Sequence, residues 1–133
     1  MILVDSSVWI DYFRGASTAQ TEKLNDLLEK ESLAVGDLIL MEVLQGFRRE
    51  SEFQAALRKM SALTVVNLGG ADVALLAAQN FRKLRSLGIT VRRSIDTLIA
   101  TACIVGDYSL LHSDRDFDSF AKHLGLKVVK VSN

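Results

Sequence analysis

Five carboxylates stand apart from the ordinary charged runs of this chain. Asp5 directly follows the apolar run Met1-Ile2-Leu3-Val4, and Asp114 follows Leu110-Leu111-His112-Ser113. Glu42 is set between Leu40-Met41 and Val43-Leu44, Asp96 lies between Ile95 and Leu98-Ile99, and Asp116 comes two residues after Asp114. Acids flanked in this way point into a cleft more readily than acids in a charged run. Two carboxylates ~4 Å apart repel by ~4 kcal/mol at an effective dielectric of ~20, so several brought together must either bind protons or take up a cation. All the donors are oxygens, and the chain has one cysteine and no suitably spaced histidine pair. That donor set suits the hard ions Mg²⁺ or Mn²⁺ better than zinc.

Each acid taken alone has a plainer role. Asp5 is a helix N-cap candidate, Asp96 a favourable charge at a helix start, Glu42 a solvent-facing helix residue, and Asp114 and Asp116 caps for the helix that follows. What favours a site is convergence, because a parallel sheet delivers the ends of separate strands to one edge, where ligands bind. The elements that must do this are legible as alternating strands and helices. Residues 1–4 read as a buried strand, and Ser7 as the cap of a short helix through Arg14, with Val8, Trp9, Tyr12 and Phe13 on helical spacing and Gly15 at its end. Leu24, Leu27 and Leu28 mark an amphipathic helix reaching about Glu31, followed by a short strand at Leu33-Ala34-Val35. Asp37 is a cap candidate for a helix through about Arg48, and a further helix from Glu50 or Ser51 to Met60 precedes a strand at Leu63–Val66. Gly69-Gly70 opens a long helix that Gly88 closes, and Ser94 caps the next apolar helix. The last strands are Ser109–His112 and Lys127–Val131, with a helix from about Asp116 to His123 between them. No linker, low-complexity tract or repeat divides the chain, so it reads as one domain over residues 1–133, a parallel sheet covered by helices on both faces.

Composition agrees. A chain of 133 residues, 49% hydrophobic and 24% charged, suits one domain with a buried core. The first apolar run is only a few residues long and has no basic stretch before it, so neither a signal peptide nor a membrane span is expected, and the expected location is cytoplasmic. Cys103 lies in the apolar stretch Leu98–Val105, which gives it a buried structural role. The formal net charge of zero argues against coating nucleic acid by bulk electrostatics, but the local pattern is uneven. From Val73 to Ile95 there are five basic residues and no acid, while Asp107 to Asp118 carries four acids against Arg115. A basic strip beside an acidic cluster suits a phosphate backbone held against metal ions. Arg82, Lys83 and Arg85 can equally be a solvated helix face, whereas Arg92 and Arg93, in a loop just before Asp96, are the better phosphate contacts.

The segments Ile2-Leu3-Val4-Asp5-Ser6-Ser7-Val8-Trp9-Ile10-Asp11, Leu40-Met41-Glu42-Val43-Leu44-Gln45-Gly46, Ser94-Ile95-Asp96-Thr97-Leu98-Ile99-Ala100 and Leu110-Leu111-His112-Ser113-Asp114-Arg115-Asp116-Phe117 together resemble PIN-domain ribonucleases, and most of all the VapC toxins of VapBC toxin–antitoxin modules. The resemblance covers essentially the whole chain. It implies a three-layer α/β/α PIN-like fold around a mainly parallel sheet. It also implies an acidic quartet of Asp5, Glu42, Asp96 and Asp114 holding one or two Mg²⁺ or Mn²⁺ ions, with Asp116 matching a fifth acid and ranked as supporting. Ser6 matches a hydroxyl residue near the metal, and Arg115 a phosphate contact. The expected partners are an RNA substrate and a cognate VapB-type antitoxin whose tail covers the acidic cleft. The expected assembly is a homodimer, or a heterotetramer or larger with antitoxin. Trp9, Tyr12, Phe13 and Phe47 are candidates for lining the antitoxin groove, alongside a role in the core.

The chemistry so implied is hydrolysis of single-stranded or looped RNA by a metal-activated water, leaving a 5′-phosphate. Asp5 and Asp96 would position the metal; Glu42 and Asp114 would complete the shell or orient the water. His112 and His123 are poorer candidates for general acid or base, since neither lies in a nucleophile-base motif. Two other classes are weighed. A non-enzymatic nucleic-acid or partner-binding module would make the acids structural. An Asp-dependent phosphotransfer protein also begins with an acid after its first strand, but the dehalogenase type needs a second Asp where this chain has Ser7. No Walker-type phosphate loop occurs, because Gly69-Gly70 is not followed by Lys-Ser or Lys-Thr.

Overall fold

The computed structural model describes residues 1–30 and 33–131. The elements are β1 (Ile2–Val4), α1 (Ser6–Arg14), α2 (Ala19–Lys30), β2 (Leu33–Gly36), α3 (Asp37–Leu44), α4 (Glu50–Ser61), β3 (Thr64–Val66), α5 (Ala71–Ser86), α6 (Ser94–Gly106), β4 (Ser109–Leu111), a 3-10 turn at Arg115–Phe117, α7 (Asp118–Leu124) and β5 (Lys127–Val128). The expected extension of α2 to Glu31 lies outside the described residues.

The five strands form one sheet in the order β3-β2-β1-β4-β5, and every pairing is parallel. Helices pack in two groups, α1 with α2 and α3, and α5 with α6 and α7, giving the three-layer α/β/α architecture. Central strands of such a sheet are covered on both faces and so read as continuous apolar runs. Leu3 and Val4 of β1 and Leu110 and Leu111 of β4 accordingly have no exposed surface, whereas Thr64 and Val65 of the edge strand β3 and both residues of β5 are exposed. Helix α6 is buried almost all round, through Asp96, Thr97, Ile99, Ala100, Thr101, Ala102 and Cys103. An apolar sequence with no polar stripe allows that placement. Among the described residues, no helix is long and apolar enough to cross a membrane.

Strand order reverses direction at β1, with β2 on one side and β4 on the other. This is the topological switch point, where an open parallel sheet leaves a crevice beyond the strand ends. The Asp5 N–H donates to Leu111 O at 2.9 Å, which holds the two strand ends that carry Asp5 and Asp114 side by side.

Several sequence-based boundaries shift. Helix α1 is capped by Asp5 and not by Ser7, because a carboxylate at the strand end reaches the Ser7 N–H. Asp37 and Ser94 are the first residues of their helices, after Gly36 and Arg93 at the cap positions. The Asp37 carboxylate instead accepts from Leu38 N at 2.8 Å and Leu68 N at 3.0 Å, tying the helix start to the segment after β3. Helix α3 stops at Leu44 and not near Arg48; Gly46, with the backbone entropy of glycine, lies just beyond the last turn. Strand β5 ends at Val128 and not at Val131, since its one neighbour, β4, ends at Leu111 and then turns toward Asp114.

Candidate functional site

The crevice is built from four separate elements. β1 delivers Asp5, α3 delivers Glu42 in its second turn, the first turn of α6 delivers Asp96, and the turn after β4 delivers Asp114 and Asp116. Asp96, Asp114 and Asp116 each offer one carboxylate oxygen, and those oxygens all lie within 4.8 Å of one another. Asp5 and Glu42 stand outside that tight group. Asp5 is nevertheless close enough for its charge to raise the pKa of Asp96, and Glu42 acts on Asp96 in the same sense. The tight group includes Asp116, which the resemblance ranks behind Asp114.

Burial makes the acids costly. Asp5 is 4% exposed and Asp96 3%. Burial, followed by repulsion from Asp5, Asp114 and Glu42 and opposed by Arg93, pushes the Asp96 carboxyl up to about 6 from an ordinary 3.8. Two buried oxygens, Asp5 Oδ1 and Asp96 Oδ2, have no hydrogen-bond partner. An unpartnered carboxylate oxygen in the interior is a large penalty unless something cationic meets it. The set of oxygen donors therefore fits a hard divalent ion, with Asp96, Asp114 and Asp116 close enough together to share it and Asp5 Oδ1 left without a partner nearby.

The simple roles of the acids turn out to coexist with the site. Asp5 caps α1 with Oδ2, which accepts from Ser7 N at 3.1 Å, and its other oxygen is left over. Asp114 caps the 3-10 turn by accepting from Asp116 N at 2.9 Å. Glu42 is not a solvent-facing helix residue: its side chain is 12% exposed, it accepts from Ser6 Oγ at 3.3 Å, and it pairs with Arg93.

Arg92 and Arg93 close the crevice from the solvent side. Arg93 pairs with Glu42 and lies 3.8 Å from Asp96, while Arg92 pairs with Asp116 at 2.8 Å and reaches Asp114 at 4.0 Å. Burial works against the Arg93 charge, but Asp96, Glu42 and Asp5 outweigh it and hold the pKa above the ordinary arginine value. The Asp116 hydrogen bond does the same for Arg92. Both guanidiniums remain largely exposed, at 73% and 51% of their side chains, so neither is locked into the cluster. Arg115 is exposed and forms no ion pair among the described residues.

Sequence reasoning gave Ser7 only a capping role and missed its position. Its hydroxyl donates to Asp5 Oδ2 at 2.7 Å and accepts from Ser113 N at 3.1 Å, bridging the ends of β1 and β4. The only signal in the sequence was the hydroxyl two residues after Asp5, and the second contact spans 106 residues. His112 accepts from Asp114 N through Nδ1 at 3.2 Å and packs on Phe117 with ring centroids 5.1 Å apart, a structural placement in which burial lowers its pKa. His123 lies in the last turn of α7.

Beside the acids lies a groove of about 340 Å³, shared with the site through Glu42 and lined by Ile10, Phe13, Val43 and Phe47. Phe13 and Phe47 meet edge to face at 5.7 Å. Trp9 is fully buried and stacks on Phe13, so it belongs to the core and not to the groove; the Tyr12 ring sits under Lys59.

A PIN-domain sequence profile matches residues 2–123 of this chain. Ribonuclease VapC11 of Mycobacterium tuberculosis is 33% identical over 129 residues, 96% of either chain, and ribonuclease VapC19 of the same species is 32% identical over 90% of this chain and 94% of its own. The crystal structure of VapBC2 from Rickettsia felis bound to a DNA fragment from its promoter superposes with a TM-score of 0.75, over 99% of this chain and 100% of that one, at 17% identity. That last likeness concerns the fold, while the sequence identities carry the relationship: the chain belongs to the PIN-domain family, among the VapC ribonucleases.

Proposed function

We propose that the protein is a Mg²⁺- or Mn²⁺-dependent endoribonuclease, the toxin component of a toxin–antitoxin pair, acting in the cytoplasm. The observation that carries this reading is the tight carboxylate group of Asp96, Asp114 and Asp116 at the switch point of the sheet, with Asp5 and Glu42 near enough to act on Asp96 and with Asp5 Oδ1 and Asp96 Oδ2 buried and unpartnered. In a chain that belongs with ribonucleases, a divalent ion bound there would offset the charge that such oxygens carry.

A divalent ion held there would supply Lewis-acid chemistry, making water more acidic and offsetting charge on the phosphodiester oxygens. Asp5 and Asp96 carry the most buried oxygens, and Asp114 and Asp116 lie within reach of Asp96 to share the ion. Glu42, which accepts from Ser6, would complete the shell or orient the attacking water. Water adds to phosphorus as the bond to the 3′ oxygen breaks, leaving a 3′-hydroxyl and a 5′-phosphate. Arg92 and Arg93, exposed and on the open side of the acids, can exchange their carboxylates for the nonbridging oxygens of the RNA backbone. Arg115 lies on the same turn as Asp114 and Asp116 and is free to follow the strand.

An antitoxin segment fits the groove beside Glu42. Ile10, Phe13, Val43 and Phe47 provide an apolar floor, and a segment seated on it would run up to the acids and exclude RNA. A homodimer, joined by antitoxin into a heterotetramer or larger, is part of the same proposal.

The test is cleavage of labelled total RNA by purified, antitoxin-free protein with Mg²⁺, Mn²⁺ or EDTA, beside an Asp96→Asn variant. Discrete products that require the ion and disappear in the variant are expected. Metal-independent cleavage, or no cleavage by folded protein with any ion, would turn the reading toward a non-enzymatic binding module.

A further inference from the structure

We propose that Ser7 is a positioning residue for the cation centre, acting through Asp5 and through the strand end that carries Asp114. The inference rests on the divalent-ion reading above. Three hydrogen bonds meet on this one residue. Its backbone N–H and its hydroxyl both donate to Asp5 Oδ2, at 3.1 and 2.7 Å, and its oxygen accepts the Ser113 N–H at 3.1 Å.

A hydroxyl has one proton and two lone pairs, so donating to Asp5 leaves it able to accept from Ser113 at the same time. The first consequence concerns Asp5. With Oδ2 occupied twice, the carboxylate cannot rotate without breaking both bonds, and Oδ1 remains the buried, unpartnered oxygen. The second concerns β4. Ser113 lies one residue before Asp114, and its N–H is fixed to the residue that also fixes Asp5. Ser7 thus sets the spacing between two of the acids, across a sequence separation of 106 residues.

The plainer role, a helix start, needs only the Ser7 backbone N–H, which any residue except proline supplies. The hydroxyl is superfluous to that role. Its removal therefore separates the two: the cap on α1 survives in Ser7→Ala, while Asp5 Oδ2 keeps one bond instead of two and the tie to Ser113 is lost. Groups that orient metal-binding carboxylates in this way are worth roughly 10- to 100-fold in metal affinity.

The experiment is Mn²⁺ binding, by the loss of free-Mn²⁺ paramagnetic resonance, to wild-type protein, Ser7→Ala, Ser7→Thr and Ser7→Val, with Asp96→Asn as the site control and unfolding in EDTA measured for each. Thr and Val have nearly the same shape and differ in the hydroxyl, so this pair decides the matter even if Ser7→Ala fails to fold. Expected are affinity weakened by at least about tenfold in Ala and Val, retained in Thr, and EDTA-state stabilities for Thr and Val that differ too little to account for it. Equal Mn²⁺ affinity in Thr and Val, with wild type binding well, would overturn the role of Ser7 and leave the cation centre standing. Wild-type protein that takes up no Mn²⁺, or Asp96→Asn binding as well as wild type, would overturn the centre itself and this role with it.

Discussion

Neutralising Asp96 should stabilise the protein when no divalent ion is present, and the size of the effect follows from its surroundings. Asp96 is 3% exposed, and its carboxyl is pushed up to about 6, first by burial and then by Asp5, Asp114 and Glu42. In the unfolded chain the same group ionises near 3.8. Between those values the native state holds the proton more tightly, so this group's contribution is fully present below about pH 4 and is lost as pH rises through about 6. The difference corresponds to about 3 kcal/mol at neutral pH. Asp96→Asn keeps the shape and removes the charge, and Arg93 retains Glu42 as its partner. In EDTA at pH 7.5 the variant should therefore be more stable by about 2 to 3 kcal/mol, on the order of 10 °C in Tm for a domain of this size. At about pH 4 the advantage should vanish. Trp9 is the one tryptophan and is fully buried, so its fluorescence reports urea unfolding directly. Added Mn²⁺ should reverse the order, because it stabilises wild type by mass action and has lost a principal ligand in the variant. Asp96→Asn no more stable than wild type in EDTA at pH 7.5, or stabilised equally by Mn²⁺, would refute the reasoning.

Three further outcomes are expected. Arg93→Gln should weaken binding of a single-stranded RNA in Ca²⁺ and reduce the salt slope of that binding by about one phosphate contact; an unchanged slope would show that Arg93 serves only Glu42 and Asp96. Gly36→Ala should cost about 1 to 3 kcal/mol in urea unfolding, because an added Cβ runs into the Leu68 side chain beneath the start of α3. Cys103 is fully buried, and burial, reinforced by Asp5, pushes its thiol up to about 12, so a thiol-reactive dye should label it only on unfolding; rapid labelling of native protein would place it at the surface.

Much of the fold is legible in the sequence because it depends on local pattern. The apolar run before Asp5, the glycine after Arg14 and the apolar stretch Leu98–Val105 each announce a buried strand, a helix end and a buried helix from neighbouring residues alone. Parallel pairing follows from strands alternating with helices. Where the reading slipped, the end of β5 and the role of Asp37 depended on partners distant in sequence, while the end of α3 at Gly46 and the α1 cap at Asp5 turned on close neighbours. Strand β5 stops because β4 stops, and Asp37 is drawn from capping its own helix to bonds with Leu38 and Leu68.

The candidate site divides along the same line. By itself the sequence determined which acids sit at element ends among apolar neighbours, and that their oxygens suit a hard cation, because residue type and local setting are written in the chain. Only the tertiary structure decided that Asp96, Asp114 and Asp116 form the tight group, that Arg92 and Arg93 face the acids, and that Ser7 bridges Asp5 to Ser113. Those relations depend on the order of strands in the sheet and on side-chain directions at the crevice, which are fixed when the whole core packs and which no run of neighbouring residues encodes.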